Sequence, residues 1–108
     1  MIDLVYDTLK SIGIPIKYQT YSGDKKTYIT YFTYLQQAET YADDEEQTEG
    51  YYIQVDIWSN TSGNDYTNTI KQVKGLMKQA GFRRKTEHED YESDTKIYHK
   101  AIRFVYYK

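Results

Sequence analysis

The chain has 108 residues, no cysteine, a net charge of −2 at pH 7 and a sequence pI near 5.6. These values exclude a disulfide framework, a thiol nucleophile and a thiolate metal site, and they lack the basic footprint of a protein that grips a nucleic-acid backbone. A core of this size removes about two thirds of the roughly 19,000 Å² that the unfolded chain exposes, enough for one domain over residues 1–108.

The first predicted element is a short helix over residues 2–12, where Ile2, Val5, Leu9 and Ile12 recur at helical spacing and Gly13 and Pro15 follow as stop signals. Ile14, Ile16, Tyr18 and Thr20 then alternate with polar residues as a strand, with Pro15 suited to its first or edge position. Residues 27–36, TYITYFTYLQ, are dense in β-branched and aromatic residues on both alternating sets and predict a central or interface-facing strand. The segment QAETYADDEEQTE that follows has hardly any apolar content and reads as a long solvated loop.

Tyr51, Ile53, Val55 and Ile57 alternate with Tyr52, Gln54, Asp56 and Trp58, a strand with one core face and one wetter face that carries Trp58. After the turn at residues 60–64, capped by Asn64 or Asp65, a helix places Tyr66, Ile70, Val73, Met77 and Ala80 on one side and Lys71, Lys74 and Lys78 on the other. Gly81 closes it as a left-handed cap. Residues 82–91 and 96–107 then flank Glu92, Ser93, Asp94 and Thr95 as a polar β-hairpin ending in IYHKAIRFVYY. The order α-β-β-β-α-β-β predicts an α+β domain with a largely antiparallel sheet and both helices packed on one face.

Chemistry is hard to find along this chain. The strand-turn-helix around SNTSGNDYTNT carries one glycine and places Asp65 where a bound phosphate would sit, so it reads as an ordinary helix start. His88 and His99 would share a sheet face if paired across the hairpin, yet a third metal ligand of the right type and alternation is missing. The acidic run lacks the alternating oxygens and the glycine of a calcium loop. Arg83, Arg84 and Lys85, beside Arg103, are interleaved in sequence with Glu87, Glu89, Asp90 and Glu92, as in an internally neutralised hairpin. No catalytic, cofactor-binding or metal residue is assigned, and an enzyme is not expected. No stretch approaches the roughly 20 apolar residues of a membrane span and the N-terminus has no basic leader, so a soluble, unexported chain without a membrane partner is expected.

The phrases YIQVDIWSN, a helix ending LMKQAGFRR, and DYESDTKIYHKAIRFVYY, preceded by VYDTLKSIGIPI and TYITYF, resemble the small tail completion proteins of long-tailed bacteriophages and prophages. These are the head-to-tail joining and tail terminator proteins. The resemblance spans nearly the whole chain and rests on the order of elements and short phrases. It implies a structural virion protein at the head-proximal end of the tail, made in the bacterial host cytoplasm. Such a protein forms a ring, typically hexameric, that ends the tail tube and meets the head completion or connector protein, while DNA passes through without specific binding. No cofactor is implied.

Independently of the resemblance, 14 tyrosines against three phenylalanines and one tryptophan supply rings that suit half-buried sheet faces and subunit contacts. The residues expected to meet partners are Tyr41, Asp43, Asp44, Glu45, Glu46 and Glu49 in the acidic segment, and Glu92, Ser93 and Asp94 at the hairpin tip. Trp58 with Tyr28, Tyr31 and Tyr34, together with Phe32, Phe104 and Tyr106, would supply the subunit contact. The alternative is a small-ligand or nucleic-acid binding module on a similar α+β sheet.

Overall fold

The computed structural model describes residues 1–23, 26–42, 45–61 and 63–108, and for residues 39–48 it describes the backbone alone. Helix α1 (Ile2–Leu9) runs into a single 3₁₀ turn (Lys10–Ile12), and the expected Gly13 ends it at φ 87°, a left-handed backbone that only glycine adopts without strain. Eight residues are too few to hold a helix alone. Val5 and Leu9, both fully buried, anchor it to the sheet, while Ile2 at the end of the predicted stripe stays exposed.

The five strands are β1 (Ile16–Tyr18), β2 (Thr27–Ala42), β3 (Glu45–Ser59), β4 (Arg83–Glu92) and β5 (Ile97–Tyr107), ordered β1-β2-β3-β5-β4 in one sheet. All neighbours are antiparallel except β1 and β2. The fold is therefore α+β with a mixed, mostly antiparallel sheet. β1 is shorter than the predicted strand and lies at the edge directly after Pro15, whose carbonyl accepts from the Ile29 N–H at 2.9 Å. Three residues span only about 10 Å, so residues 19–26 can return the chain to a parallel neighbour without a helical crossover.

Helix α2 (Asn64–Gln79) leads from β3 to β4, and β5 then inserts between those two strands. Gly63 occupies its N-cap with no side-chain capping bond, and Asn64 and Asp65 lie inside the first turn, where the Asp65 charge suits the positive end of the helix; this corrects the expected cap. Gly81 follows at φ 100°, as expected.

The register sorts the sheet into two faces. On the helix side, Ile29 pairs with Ile57, Tyr31 with Val55 and Val55 with Ile102, and these residues form one core with Val5, Leu9, Tyr66, Val73, Met77 and Phe104. Among the described residues the other face carries no helix.

The largest departure from expectation concerns residues 37–49. Residues 37–42 and 45–49 are paired strand and not loop, with Gln37 opposite Gly50, Thr40 opposite Thr48 and Ala42 opposite Glu45, while residues 43 and 44 lie outside the described residues. The rest of the sheet stops at Gly50 opposite Tyr107, and beyond it Glu49 and Lys108 exchange backbone hydrogen bonds at 3.0 Å. From Gly50 to Glu45 the ladder runs on for roughly 17 Å as a two-stranded arm. The molecule accordingly measures 52 × 27 × 22 Å.

Candidate functional site

On the face without helices the register lines residues into cross-strand rows. Tyr28, Trp58, His99 and Asp90 make one row, Thr30, Asp56, Ala101 and His88 the next, and Phe32, Gln54, Arg103 and Thr86 a third. Along the first row Tyr21 packs on Tyr28 at 4.6 Å, Tyr28 on Trp58 at 6.2 Å, and Trp58 on His99 at 3.9 Å with planes 1° apart. A ring separation that short, with parallel planes, means that Trp58 and His99 stand upright on the sheet. Each covers a face of the other and turns its edge outward.

The second and third rows hold a hydrogen-bonded chain. Arg103 Nε donates to Gln54 Oε1 at 3.0 Å, and Gln54 Nε2 donates to Asp56 Oδ1 at 2.8 Å. His99 Nε2 donates to the same Asp56 oxygen at 2.6 Å, and Trp58 Nε1 donates to Thr30 Oγ1 at 2.9 Å. Asp56 is only 4 % exposed, so this carboxylate is sustained by its donors and not by water. The Arg103 guanidinium also lies 4.4 Å from the Tyr34 ring centre, a cation–π contact. A cavity of about 350 Å³ opens beside the chain, lined by Gln54, Thr86, Glu87, His88, His99 and Arg103 among others.

A carboxylate bound to histidine invites comparison with hydrolytic triads. There the carboxylate holds Nδ1 and leaves Nε2 for the nucleophile. In this protein Asp56 takes Nε2. The pair orients His99 against Trp58 and, among the described residues, no hydroxyl bonds to His99 as a third member.

A second cluster lies on the helix side, at the edge formed by β4. Glu87 receives Lys74 at 2.8 Å, Lys100 at 2.9 Å and Arg84 at 2.5 Å. Hydrogen bonds from Lys74 and then Lys100 hold its carboxyl well below the ordinary range, down to about 2. Beside it, a groove of about 440 Å³ is lined by Lys74, Lys78, Phe82, Arg83, Arg84 and Phe104. Nearby Tyr66 donates to Glu89 at 3.3 Å, and burial followed by the Glu89 charge pushes its phenol above the usual range.

The expected interface residues separate on this framework. Tyr28, Tyr34 and Trp58 lie half-buried on the open face. Tyr31 does not: it is 3 % exposed in the core beneath α1, where its hydroxyl donates to the Ile2 carbonyl at 3.2 Å. Phe104 is also core, 1 % exposed, because both residues fall on the helix-side alternation. Glu92, Ser93 and Asp94 are exposed at the end of β4 and in the turn that follows, and Glu49 accepts from the Gln36 amide at the base of the arm. Tyr41, Glu45 and Glu46 are paired strand residues with no described side chains, and Asp43 and Asp44 lie outside the described residues.

His88 and His99 are not partners. A turn over residues 93–96 pairs Glu92 with Ile97 and so places His88 opposite Ala101 and His99 opposite Asp90. His88 bonds to Asp90 at 2.9 Å, whereas His99 bonds to Asp56. Arg103 is likewise separated from the Arg83 and Arg84 tract, since Arg84 turns to Glu87 on the helix side and Arg103 to Gln54 on the open one. Among the described residues no group of three or more His, Cys, Asp or Glu could hold a metal ion, and no helix is long and apolar enough to cross a membrane.

Sequence reasoning missed Asp56, His99, Gln54 and Arg103 as a group, and it missed Lys74 as a partner of Glu87. An acidic residue amid YYIQVDIW, on a strand whose other set is core, was the only available signal. No protein-family model matches the chain, and no curated protein matches it.

Proposed function

We propose that this chain is a non-enzymatic virion assembly protein that forms a ring at the head-proximal end of a phage or prophage tail. There it would terminate the tail tube and join it to the head completion protein. The observation that carries the reading is the β2–β3 arm, where, beyond the Glu49–Lys108 pair, the ladder has neither a third strand nor a helix paired with it among the described residues. A two-stranded ribbon is marginal in water by itself, and association with a partner would support it. A subunit that projects such an arm from a compact body can meet its neighbour through a different surface from the one it offers, which is the requirement for a closed ring.

The reading is tested by light scattering on the purified protein, alone and mixed with the tail tube protein encoded beside it. A six-fold ring, or a monomer that caps tubes and sets their length, is the expected result. A monomer indifferent to the tube would sink it.

A second reading takes the cavity beside His99 and Arg103 as the site of a small ligand or a nucleobase. It is the weaker one, because the Trp58 and His99 faces that meet cover each other and are closed to a stacking base. Its signature would be a melting temperature that rises with added nucleotide or oligonucleotide.

A further inference from the structure

One carboxylate in this protein serves three cations. Lys74, Lys100 and Arg84 all converge on Glu87, and among the described residues only Lys100 of the three has a further carboxylate nearby, Glu89 at 3.9 Å. Two more cations, Lys78 and Arg83, line the adjoining groove and are exposed. Among the described residues neither has a carboxylate partner; Arg83 lies instead over the Tyr107 ring at 5.6 Å. The groove between the end of α2 and the start of β4 therefore holds more positive charge than the described residues of its own chain neutralise. Phe82 and Phe104 form its apolar floor.

The complement to this groove lies elsewhere in the same chain. From Thr27 to Ile70 there are eight acidic residues and no Lys or Arg, so all 14 cations lie outside this segment. Six of those eight acids fall within residues 39–49, the stretch that the β2–β3 pairing carries past the rest of the sheet. That ladder carries the arm past Gly50, beyond the end of the sheet at which Arg83 and Arg84 also lie, and β5 separates it from the groove of its own subunit. The acidic segment of one copy thus lies on its β2–β3 ladder, while the excess positive charge of the same copy lies on α2 and the edge strand β4.

We propose that the groove formed by Lys74, Lys78, Arg83 and Arg84 receives the acidic β2–β3 arm of a second copy of this chain. The proposal rests on the ring reading and supplies its repeating contact. The two surfaces differ, so each copy can give an arm to one neighbour and accept one from the other, and the contact closes into a ring if the rotation closes. An unmatched cluster of cations also suits nucleic-acid phosphates. The arm is favoured because the neutralising charge is already present in every copy, and because a chain of net charge −2 repels a polyanion overall.

The test is sedimentation velocity on the full chain from micromolar to millimolar concentration, at low and at high salt. The expected result is concentration-dependent association at low salt that weakens at least tenfold at high salt, since the Debye length falls below about 10 Å above 0.1 M. Lys78→Glu with Arg83→Glu should abolish association, and so should Glu45→Lys with Glu46→Lys. A chain carrying all four substitutions should associate again, which also shows that neither pair acts by unfolding the protein; the neutral pair Lys78→Gln with Arg83→Gln should give an intermediate loss.

A parent chain that stays monomeric at millimolar concentration and low salt would overturn the contact. So would association that survives either reversed pair, even if every variant still caps tail tubes and the ring reading stands. Loss caused by the groove pair alone, together with oligonucleotide binding that the same pair removes, would assign the groove to nucleic acid and overturn the proposal.

Discussion

Residues 29–31 and residues 40–42 belong to the same strand and could hardly be held more differently. Ile29 and Tyr31 lie between β1 and β3 beneath α1, 0 % and 3 % exposed. Residues 40–42 pair with β3 alone, beyond the last residue of β5. The body of β2 is a strand because its side chains are buried. The arm is a strand because its backbone continues a register that the body has already set, aided by β-favouring Thr40, Tyr41 and Thr48. The difference teaches that absence of apolar residues predicts absence of packing, and not absence of strand pairing.

The sharpest way to break this comparison is to damage the body. Phe104→Ala removes a buried ring of β5 that packs in the core beside Phe82 and should cost about 3–5 kcal/mol in urea unfolding, with the arm lost in the same transition. Asp56→Ala attacks the open face, where it strands the donors on Gln54 and His99; a loss of about 1–3 kcal/mol is expected. Trp58 fluorescence should shift in the same variant as His99 loses its anchor, and an unchanged spectrum would show that stacking alone positions the imidazole.

Gly81→Ala should cost about 1–2 kcal/mol, since φ 100° disfavours any Cβ and the new methyl would meet Tyr106 at 3.3 Å. Glu87→Gln should cost about 1 kcal/mol at neutral pH. Its sharper signature is acid dependence. The Glu87 carboxyl is lowered from 4.5 to about 2, so its contribution is complete above about 4.5 and declines as pH falls toward 2. The variant should therefore lose less stability than the parent across that window. At the small end, Glu46→Ala in the arm should change stability by less than about 0.5 kcal/mol. Hydrogen exchange should completely separate the regions: amides of residues 40–42 exchange faster than those of residues 53–57, and equal protection would mean that the arm is as well supported as the body.

Much of the layout was legible along the chain. The helical spacing of Val5 and Leu9 and of Tyr66, Val73 and Met77, the alternation of Ile53, Val55 and Ile57, and the stops at Gly13 and Gly81 all reappear in place. The interface residues were less legible. Tyr31 and Tyr34, three apart in TYITYFTY, fall on opposite faces by alternation, but only the tertiary structure decides that the Tyr31 face lies beneath α1 and the Tyr34 face opens toward Arg103.

Local periods of 3.6 and 2 residues are properties of neighbouring residues, so the sequence by itself determined the helices, the apolar strands and which side of each is apolar, but not the strand pairing of the polar segment after Gln36. It also determined where the charge lies, eight acids without a cation from Thr27 to Ile70. The tertiary structure alone decided which segments became neighbours. Inserting β5 between β3 and β4 joined His99 to Asp56 across 43 positions and gathered Lys74, Lys100 and Arg84 around Glu87. It also continued an acidic segment as a paired arm. Strand order and register follow from pairing and burial summed over the whole sheet, and no short stretch of chain carries that sum.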